Sequence, residues 1–309
     1  MNSDGREEGN LKETAHIPVL LHEVLTLFNP QRGETYFDGT VNGGGHTRAI
    51  LERVGKEGKV IGFDWDCDLI NRLKKQYPEN GHSNLELVCE NYADAKKIFA
   101  EKGWGAVHGI LLDIGFSSYH IEHSGRGFSF RKDEDLDMRY SDKGGRVRAS
   151  DIVNLWEERE LARIVRELGE ERFADRIARA IVQARKKKPI ITSGDLTRVI
   201  EESVPYSYRK AKIHPATRTF QALRIAVNEE LDNLSRFLVD AEEMLRPGGT
   251  IIIISFHSLE DRIVKAALKS KEKAGVLKIF NKKVVRASQG ESRENPRARS
   301  AKLRAAIKV

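Results

Sequence analysis

The N-terminal third of the chain alternates short apolar runs with longer amphipathic segments. Short runs rich in β-branched and aromatic residues predict buried strands, and apolar positions that recur every three to four residues predict helices. Strands and helices that alternate in this way form βαβ units, so the pattern predicts a mainly parallel sheet. The predicted strands are 35–38, 59–64, 85–90 and 108–115, and the predicted helices between them are 47–54, 67–77 and 94–103.

The alternation stops after residue 115, where a polar, glycine-bearing loop begins. The segment ELARIVREL then places Leu161, Ile164, Val165 and Leu168 on one helical stripe, and two more amphipathic segments follow with no strand pattern between them. This change of pattern predicts an inserted, all-helical region.

The α/β pattern resumes near the C-terminus, with a helical run in one or two pieces, a buried strand, a helix and an edge strand. Their predicted ranges are 217–245, 250–255, 258–268 and 301–309. A sheet that is interrupted and later completed indicates one domain with an insertion rather than two domains in series. The predicted organisation is a disordered tail, 1–14, an α/β domain, 15–115 and 217–309, and an inserted loop and helical domain, 116–216.

Composition narrows the choice of partner and compartment. The 309 residues carry a formal net charge of +7, which favours a polyanionic partner such as nucleic acid. Cys67 and Cys89 lie in or beside apolar segments without metal-binding spacing, which predicts a reducing compartment and no disulfide. No apolar run approaches the ~18 residues of a membrane span, and the polar N-terminus does not have the pattern of a signal peptide. These features predict a cytoplasmic protein that does not interact with membranes.

A glycine-rich turn follows the first predicted strand, where Gly43, Gly44 and Gly45 precede His46. In nucleotide-binding sheets such a turn lets the backbone approach the ligand, and an acid at the end of the second strand binds the ribose. Asp64 ends that strand 19 residues after Gly45 (64 − 45 = 19). Glycine-rich turns also occur without a ligand, but an acid at this spacing favours a nucleotide site.

The turn matches S-adenosylmethionine better than a dinucleotide. The dinucleotide pattern G-x-G-x-x-G lacks its last glycine here. Asp38, at the end of the first strand, suits a ligand that carries an ammonium and a sulfonium but no pyrophosphate. Asp113 ends the fourth strand, at the edge where open α/β sheets bind their ligands. A dehydrogenase is the weaker alternative.

Eight sequence blocks, in order, resemble a known family: HIPVLLHEVL, GGGH, LLDIGFSS, RGFSF, LDMR, HPATRTFQALR, SFHSLEDRIVK and NPRARS. From His16 to the C-terminus the chain resembles the MraW/RsmH family of small-subunit ribosomal RNA methyltransferases, which make N4-methylcytidine in the decoding region of 16S rRNA. The resemblance implies a class I S-adenosylmethionine-dependent methyltransferase, with a Rossmann-like, mainly parallel sheet and an inserted all-helical domain.

The resemblance also implies a set of donor-site residues. In this set Asp64 holds the ribose, Tyr92 faces the adenine, and Asp113 and His120 complete the site. The implied binding residues for S-adenosylmethionine are Gly43, Gly44, Gly45, His46, Asp64, Tyr92, Asp113 and His120.

Three positions depart from the family pattern. Asn42 replaces the first glycine of the turn, which is expected to survive because Asn tolerates positive φ. His120 replaces a glutamine, which differs from it in reach and charge. Trp65, between Asp64 and Asp66, either stacks on the adenine or packs in the protein. These changes bear on donor affinity more than on fold.

Methyl transfer to an exocyclic amine is helped by an acceptor for the amine hydrogens, while positioning supplies most of the rate. Asp113, or a backbone carbonyl beside it, is expected to be this acceptor because it ends the strand at the ligand edge of the sheet. In the alternative, Asp113 contacts only the donor. No metal is expected, because His120 and His123 have no third ligand at a matching spacing.

The target base must leave its stack before it can react. Phe116, Phe128 and Phe130 either receive the base or anchor the loop, and Arg126 and Arg139 either contact phosphates or brace the loop.

The start of the helix at 258–268 carries two further expectations. Ser258 and Asp261 are spaced as a helix N-cap and its capping-box partner. His257 either faces the acceptor pocket or supports the start of this helix.

Basic residues cluster in four segments, 185–188, 208–212, 281–286 and 293–304. These segments predict an RNA-facing surface, with the small-subunit ribosomal RNA as the partner. The sequence leaves a homodimer open. It also leaves open two other functions: a methyltransferase with a small-molecule or protein acceptor, and an rRNA-binding homologue without turnover. The changes at Asn42 and His120 keep the second of these in consideration.

Overall fold

The computed structural model describes residues 18–77, 83–115, 118–142 and 147–309. The predicted disordered tail, 1–14, and Phe116 lie outside these ranges. The strands are β1 Thr35–Asp38, β2 Lys59–Asp64, β3 Leu85–Cys89, β4 Val107–Asp113, β5 Leu245–Ser255, β6 Leu277–Ile279 and β7 Lys302–Lys308. The α-helices are α1 Leu21–Phe28, α2 Gly45–Val54, α3 Cys67–Gln76, α4 Ala95–Lys102, α5 Ser118–Glu122, α6 Ala149–Leu155, α7 Glu158–Glu167, α8 Ala174–Arg185, α9 Ser193–Ser203, α10 Tyr206–Arg209, α11 Ala216–Asn228, α12 Glu230–Asp240, α13 Ser258–Lys273 and α14 Gln289–Glu294.

The strands form a seven-stranded sheet in the order β3-β2-β1-β4-β5-β7-β6. The pairs among β1 to β5 are parallel, and β7 pairs antiparallel with β5 and β6. The strands and helices predicted for the N-terminal third are confirmed, each within two residues of its bounds. The sequence pattern of the strands is clear because central parallel strands are buried on both faces and therefore consist of continuous apolar runs. Ile110, Leu111 and Leu112 of β4 are fully buried.

The prediction of an edge position for the C-terminal strand is wrong. β7 lies between β5 and β6 and is paired on both sides. β6 contains only Leu277–Ile279, which is too short to show either alternation or an apolar run. The sequence therefore gives no sign of a strand beyond β7, although Ala305 and Ala306 are buried in the way that an internal strand requires.

Apolar side chains pack on both faces of the sheet and in a further cluster among the helices. Phe37 and Ile61 belong to one sheet layer, and Tyr36 and Val60 to the other. The helical cluster unites residues of α6 to α9 and α11 with the loop that precedes α6. Within the continuously described range 147–309, no strand interrupts the helices from α6 to α12, as predicted. The division into domains at residues 116 and 217 stays a prediction.

The long helical run near residue 230 is two helices. Glu229 has φ 49°, a left-handed conformation that ends α11 and begins α12. This break turns the start of α12 toward the carboxyl ends of the strands, where Glu230 lines a cleft. Among the described residues, no helix has both the length and the apolar character that a bilayer crossing requires.

The prediction that the cysteines are unpaired is wrong, because Cys67 and Cys89 form a disulfide. Cys89 ends β3 and is paired in register with Asp64, the last residue of β2, and Cys67 begins α3 three residues later. Their Cα atoms are 5.1 Å apart, within the range that a disulfide bridges. A sequence separation of 22 does not indicate a disulfide. The two cysteines are close because β2 pairs with β3.

The disulfide should make the stability of the oxidised protein sensitive to reductant. Closing a loop of this length restricts the unfolded chain, so reduction is expected to lower the free energy of unfolding by about 3 kcal/mol. Urea unfolding with and without a thiol reductant measures the difference. The double variant Cys67→Ser/Cys89→Ser is the control and should not respond. Equal midpoints for the wild type in both conditions would contradict the bond.

Candidate active site

A cleft opens at the carboxyl ends of β1 to β4. This is the edge at which open α/β sheets bind their ligands. Each of the four strands contributes wall residues from the loop that follows it, and α11 and α12 close the remaining side. The wall consists of Gly39, Thr40, Asn42, Asp64, Trp65, Asn91, Tyr92, Ile114, Gly115, His120, Tyr140, Asn228, Glu230 and Asn233.

The glycine turn is built against the protein's own chain. Gly44 has φ +77° and caps α2, and a Cβ there would lie 2.9 Å from Leu73. A Cβ on Gly45 would lie 3.0 Å from Pro18. Gly43 is exposed. Gly44 and Gly45 are therefore needed for the turn and for close packing around α2, and the cleft wall nearest to the turn is formed by Asn42.

Asn42 adopts the left-handed conformation that its position requires, with φ 51°. Its backbone N–H donates to Asp64 Oδ2 at 2.8 Å, and its side-chain amide donates to the carbonyls of Thr40 at 3.2 Å and Asp113 at 3.3 Å. The expectation that the turn survives this substitution is confirmed. The side chain also adds a bridge between the ends of β1 and β4 that a glycine cannot make.

Asp64 lines the cleft as a buried carboxylate whose two oxygens are both anchored. Oδ2 accepts from Asn42, and Oδ1 accepts from the backbone N–H of Asp66 at 2.9 Å. Burial raises the pKa of Asp64, and these hydrogen bonds oppose the shift. A carboxylate offers about four acceptor positions, so an anchored Asp64 can still accept from the two hydroxyls of a ribose.

Tyr92 and Trp65 line the cleft beside Asp64. Tyr92 packs edge-on against Phe237, with ring centroids 5.6 Å apart. Burial raises the pKa of Tyr92, and Glu230 and Glu260 add to the shift, so the phenol stays neutral. Two aromatic side chains beside the Asp64 carboxylate provide flat surfaces on which a planar ring such as adenine could stack.

Asp113 lies behind the cleft wall, which Ile114 and Gly115 form at this point. Its side chain is 7% exposed, and Oδ2 is 3.8 Å from His46 Nδ1. Oδ1 has no hydrogen-bond partner among the described residues. Burial and the neighbouring Asp38 raise the pKa of Asp113 to about 8, against a hydrogen bond from the Gly115 backbone. His46 is buried and its Nε2 lies 3.0 Å from the carbonyl of Val19.

His120 lines the cleft and fastens the loop after β4 to the turn after β2. Its Nε2 is 3.0 Å from Asp66 Oδ2, which also accepts from Arg126 at 3.2 Å. Burial alone would raise the pKa of Asp66, but His120 and Arg126 hold it below its usual value. Arg126 donates to Asp68 as well. The substituted histidine therefore contacts the same Asp66 carboxylate that Arg126 binds.

The aromatic residues of this loop anchor it. Phe128 is buried and stacks on Tyr140, with ring planes 12° apart, and Phe130 stacks on His214 at 4.4 Å. Arg139 braces the loop through two 2.7 Å hydrogen bonds to Asp137. The structure therefore supports an anchoring role for Phe128 and Phe130 and a bracing role for Arg139, both within this loop.

The predicted capping box at Ser258 and Asp261 is shifted by one residue. His257 is the N-cap of α13, and Glu260 is its partner. Glu260 is buried and accepts from the backbone N–H groups of Phe256 at 2.8 Å and His257 at 3.2 Å. His257 therefore supports the helix start. The sequence misleads here because serine is the more common N-cap.

The far end of the cleft contains residues that the sequence analysis did not select. Tyr140, Asn228, Glu230 and Asn233 belong to segments more than 25 residues after β4. Ligand atoms of Glu230, His257 and Glu260 lie within 4.8 Å of one another, and each residue is already engaged in an ion pair. Spacing along the chain gives no sign of this cluster, because only the packing of α12 and α13 against the sheet assembles it.

The strand order, with an antiparallel seventh strand between the fifth and sixth, is the arrangement of class I S-adenosylmethionine-dependent methyltransferases. The glycine turn and the strand-end acids are the features with which this class binds its methyl donor.

The chain belongs to the MraW methylase family, whose match spans residues 13–309. The ribosomal RNA small subunit methyltransferase H of Syntrophus aciditrophicus is 44% identical over 96% of this chain and 99% of that protein. The protein of the same name from Deinococcus deserti is 48% identical over 95% of this chain and 93% of its own. A solved S-adenosylmethionine-dependent methyltransferase from Aquifex aeolicus is similar with a TM-score of 0.41 at 12% identity, over 94% of this chain and 90% of that one.

Substitutions at Asn42 should separate its backbone from its side-chain contribution. Asn42→Ala keeps the left-handed strain, which costs about 1–2 kcal/mol, and loses both amide hydrogen bonds, which contribute about 1 kcal/mol each. Asn42→Gly loses only the hydrogen bonds. We therefore expect Ala to lower the free energy of unfolding by more than Gly, by at least about 1 kcal/mol. Urea unfolding measures both: equal losses in the two variants would contradict the backbone contribution, and an Asn42→Gly variant as stable as the wild type would contradict the bridging role.

Asp113→Asn should change the pH dependence of stability. The pKa of Asp113 rises from 3.8 to about 8 on folding, so between these values the folded chain holds a proton that the unfolded chain has released. The free energy of unfolding then falls as pH rises through this window, by up to about 1.4 kcal/mol per unit from this group. Urea unfolding at pH 6, 7 and 8 should show Asp113→Asn gaining stability relative to the wild type. Asp232→Asn, on the exposed face of α12, is the control, and its free energy of unfolding should change with pH in the same way as that of the wild type.

Proposed function

We propose that this chain transfers a methyl group from S-adenosylmethionine to the exocyclic N4 of a cytidine in the decoding region of small-subunit ribosomal RNA. The observation that carries the proposal is the cleft at the strand ends, where a donor-binding wall and a second, polar wall face each other. Membership of the MraW methylase family supports the same reaction. The names of the curated relatives state small-subunit ribosomal RNA as the substrate.

The chemistry of the cleft fits S-adenosylmethionine. Asp64 would accept from the ribose hydroxyls, and Tyr92 and Trp65 would flank the adenine. Asp38 and Asp113 are buried behind the same wall, and Oδ1 of Asp113 lacks a partner among the described residues. Buried acids of this kind favour a cationic ligand over a phosphate. When bound, the donor supplies an electrophilic methyl group.

Glycine backbone, His46 and His120 complete the proposed donor site. His46 is held beside Asp113, and His120 fixes the turn that carries Asp64. Gly43, Gly44 and Gly45 hold the turn that starts α2. These residues would set the position of the donor. Correct placement of the reacting atoms supplies most of the rate enhancement in a displacement of this type.

Asp113 is the proposed catalytic residue. Methylation would leave N4 positively charged until it loses one proton, with the electron pair of the carbon–sulfur bond remaining on the donor's sulfur. Ionised Asp113, at the end of β4, would stabilise that charge and take the proton. Its pKa of about 8 keeps most of this group protonated at neutral pH, and a cationic ligand beside it would shift it toward the ionised form. The carbonyl beside it, at Ile114 or Gly115, is closer to the cleft and would orient an N4 hydrogen.

The basic segments are the proposed contact surface for the RNA. Lys186, Lys187 and Lys188 at the end of α8, and Lys282 and Lys283 after β6, are exposed. Cations on an exposed surface bind phosphates and release counterions. A ribosomal substrate also implies a cytoplasmic location, and both this location and a homodimer stay predictions.

The proposed function predicts one methylated cytidine that depends on this protein. Small subunits from cells that lack the gene, incubated with the protein and S-adenosylmethionine, should gain one N4-methylcytidine by mass mapping. Asp113→Asn should lower turnover by about a hundredfold or more, a larger factor than any loss of donor affinity measured by calorimetry. Asp64→Ala is the matched variant, and it should weaken donor binding. Full turnover by Asp113→Asn would assign Asp113 a donor contact only, and an absence of donor binding heat would indicate an inactive homologue.

A further inference from the structure

The cleft has two chemically different ends. Asp64, Trp65 and Tyr92 form the end that suits the donor. Beyond Ile114 and Gly115, at the end of β4, the wall is made by Tyr140 and by residues of α11 and α12. The donor wall comes from loops directly after β1 to β3, whereas this second wall comes from segments that follow β4 and the helices. It lies on the side from which an acceptor must approach.

Among the described residues, Glu230 is the only carboxylate of the cleft wall outside the donor end. Its side chain is 10% exposed and is paired with Arg224, which is 12% exposed. Arg224 Nε donates to Oε1 and Nη2 to Oε2, both at 2.8 Å, and the Tyr140 hydroxyl donates to Oε1 at 3.0 Å. Three donors hold the carboxylate in one orientation.

These contacts leave acceptor capacity on Glu230 Oε2. An ionised carboxylate has about four acceptor positions, and the hydrogen bonds from Arg224 and Tyr140 use three. Among the described residues, no other side chain or backbone group donates to Glu230. The remaining position is on the oxygen that receives a single donor.

The protonation states around Glu230 are fixed. Burial works against the charge of Arg224, but Glu230 and Tyr140 raise its pKa above the usual value, so the guanidinium stays charged. Burial raises the pKa of Tyr140 well above its usual value, and the phenol remains a donor. A carboxylate held by a permanent cation and a permanent donor keeps its remaining acceptor position, and Glu230 lines the cleft.

An amino group matches this arrangement, and a carbonyl does not. Cytosine carries an exocyclic amine with two hydrogens, for which carboxylates are the characteristic acceptors, whereas uracil has a carbonyl oxygen in that place. With one amine hydrogen oriented at the end of β4, the other points away from it, toward the second wall. We propose that Glu230, held by Arg224 and Tyr140, accepts this second hydrogen bond and so selects cytosine at the acceptor site.

This inference rests on the proposed function and adds the residue that recognises the acceptor base. Its test is binding of small subunits that carry either cytosine or uracil at the mapped target position, measured with S-adenosylhomocysteine present. The wild type should prefer cytosine by on the order of tenfold to a hundredfold, the effect of one charge-assisted hydrogen bond. In Glu230→Gln the preference should fall to about threefold or less, because the amide can donate to the uracil oxygen. Donor affinity, measured by calorimetry, should stay within about twofold.

A buried arginine without its partner destabilises a fold, so a second variant accompanies the first. Arg224→Met/Glu230→Gln removes both members of the pair and should lose the same base preference. The control Lys97→Gln/Glu101→Gln removes an exposed ion pair on α4 and should keep the preference for cytosine. If Glu230 had a purely structural role, its substitution would lower the affinities for cytosine-bearing and uracil-bearing subunits equally and leave their ratio unchanged.

Two results would overturn the inference. One is an unchanged cytosine-to-uracil ratio in a folded variant. The other is a tenfold or greater loss of donor affinity in Glu230→Gln, which would assign the carboxylate to the donor's ammonium. A wild type that binds neither donor nor subunit would instead contradict the proposed function, and the inference would fail with it.

Discussion

The hydrogen bonds of Asn42 join three strand ends, and the cleft depends on that junction. The backbone N–H of Asn42 binds the Asp64 carboxylate at the end of β2, and its amide binds the carbonyls of Thr40 and Asp113 after β1 and at the end of β4. This geometry requires a positive φ at Asn42. Asp64 and Asp113, the proposed ribose-binding and catalytic acids, are therefore held relative to each other by the contacts of one residue, Asn42.

Buried charge is the second constraint on the site. Asp38 and Asp113 lie behind the wall, where burial raises the pKa of each, to about 6 and about 8. Asp66 contacts His120 and accepts a hydrogen bond from Arg126, and both residues lower its pKa. The contrast separates two roles. The acids behind the wall suit a cationic ligand and a proton, while Asp66 is a permanent anion that fastens the loop after β4.

The acceptor side is assembled by helices rather than by the sheet. The left-handed Glu229 breaks the helical run, and α12 then begins at Glu230, beside the cleft. Arg224, in the preceding helix, turns back to pair with Glu230. A nucleotide-binding sheet thus supplies the donor site, and the added helical segments supply the groups that an acceptor meets. This division explains how one common sheet can serve a particular substrate.

The central strands could be predicted from the amino-acid pattern alone, because residues such as Ile110 and Leu112 must be apolar on both faces of a parallel sheet. The strand-end acids could be predicted as well, since local chain order fixes their position. The place of β7, the Cys67–Cys89 bond and the cluster around Glu230 could not, because they depend on how separate elements pack. These features pair residues from separate elements, and their contacts follow from strand order and helix packing, which leave no periodic trace along the chain.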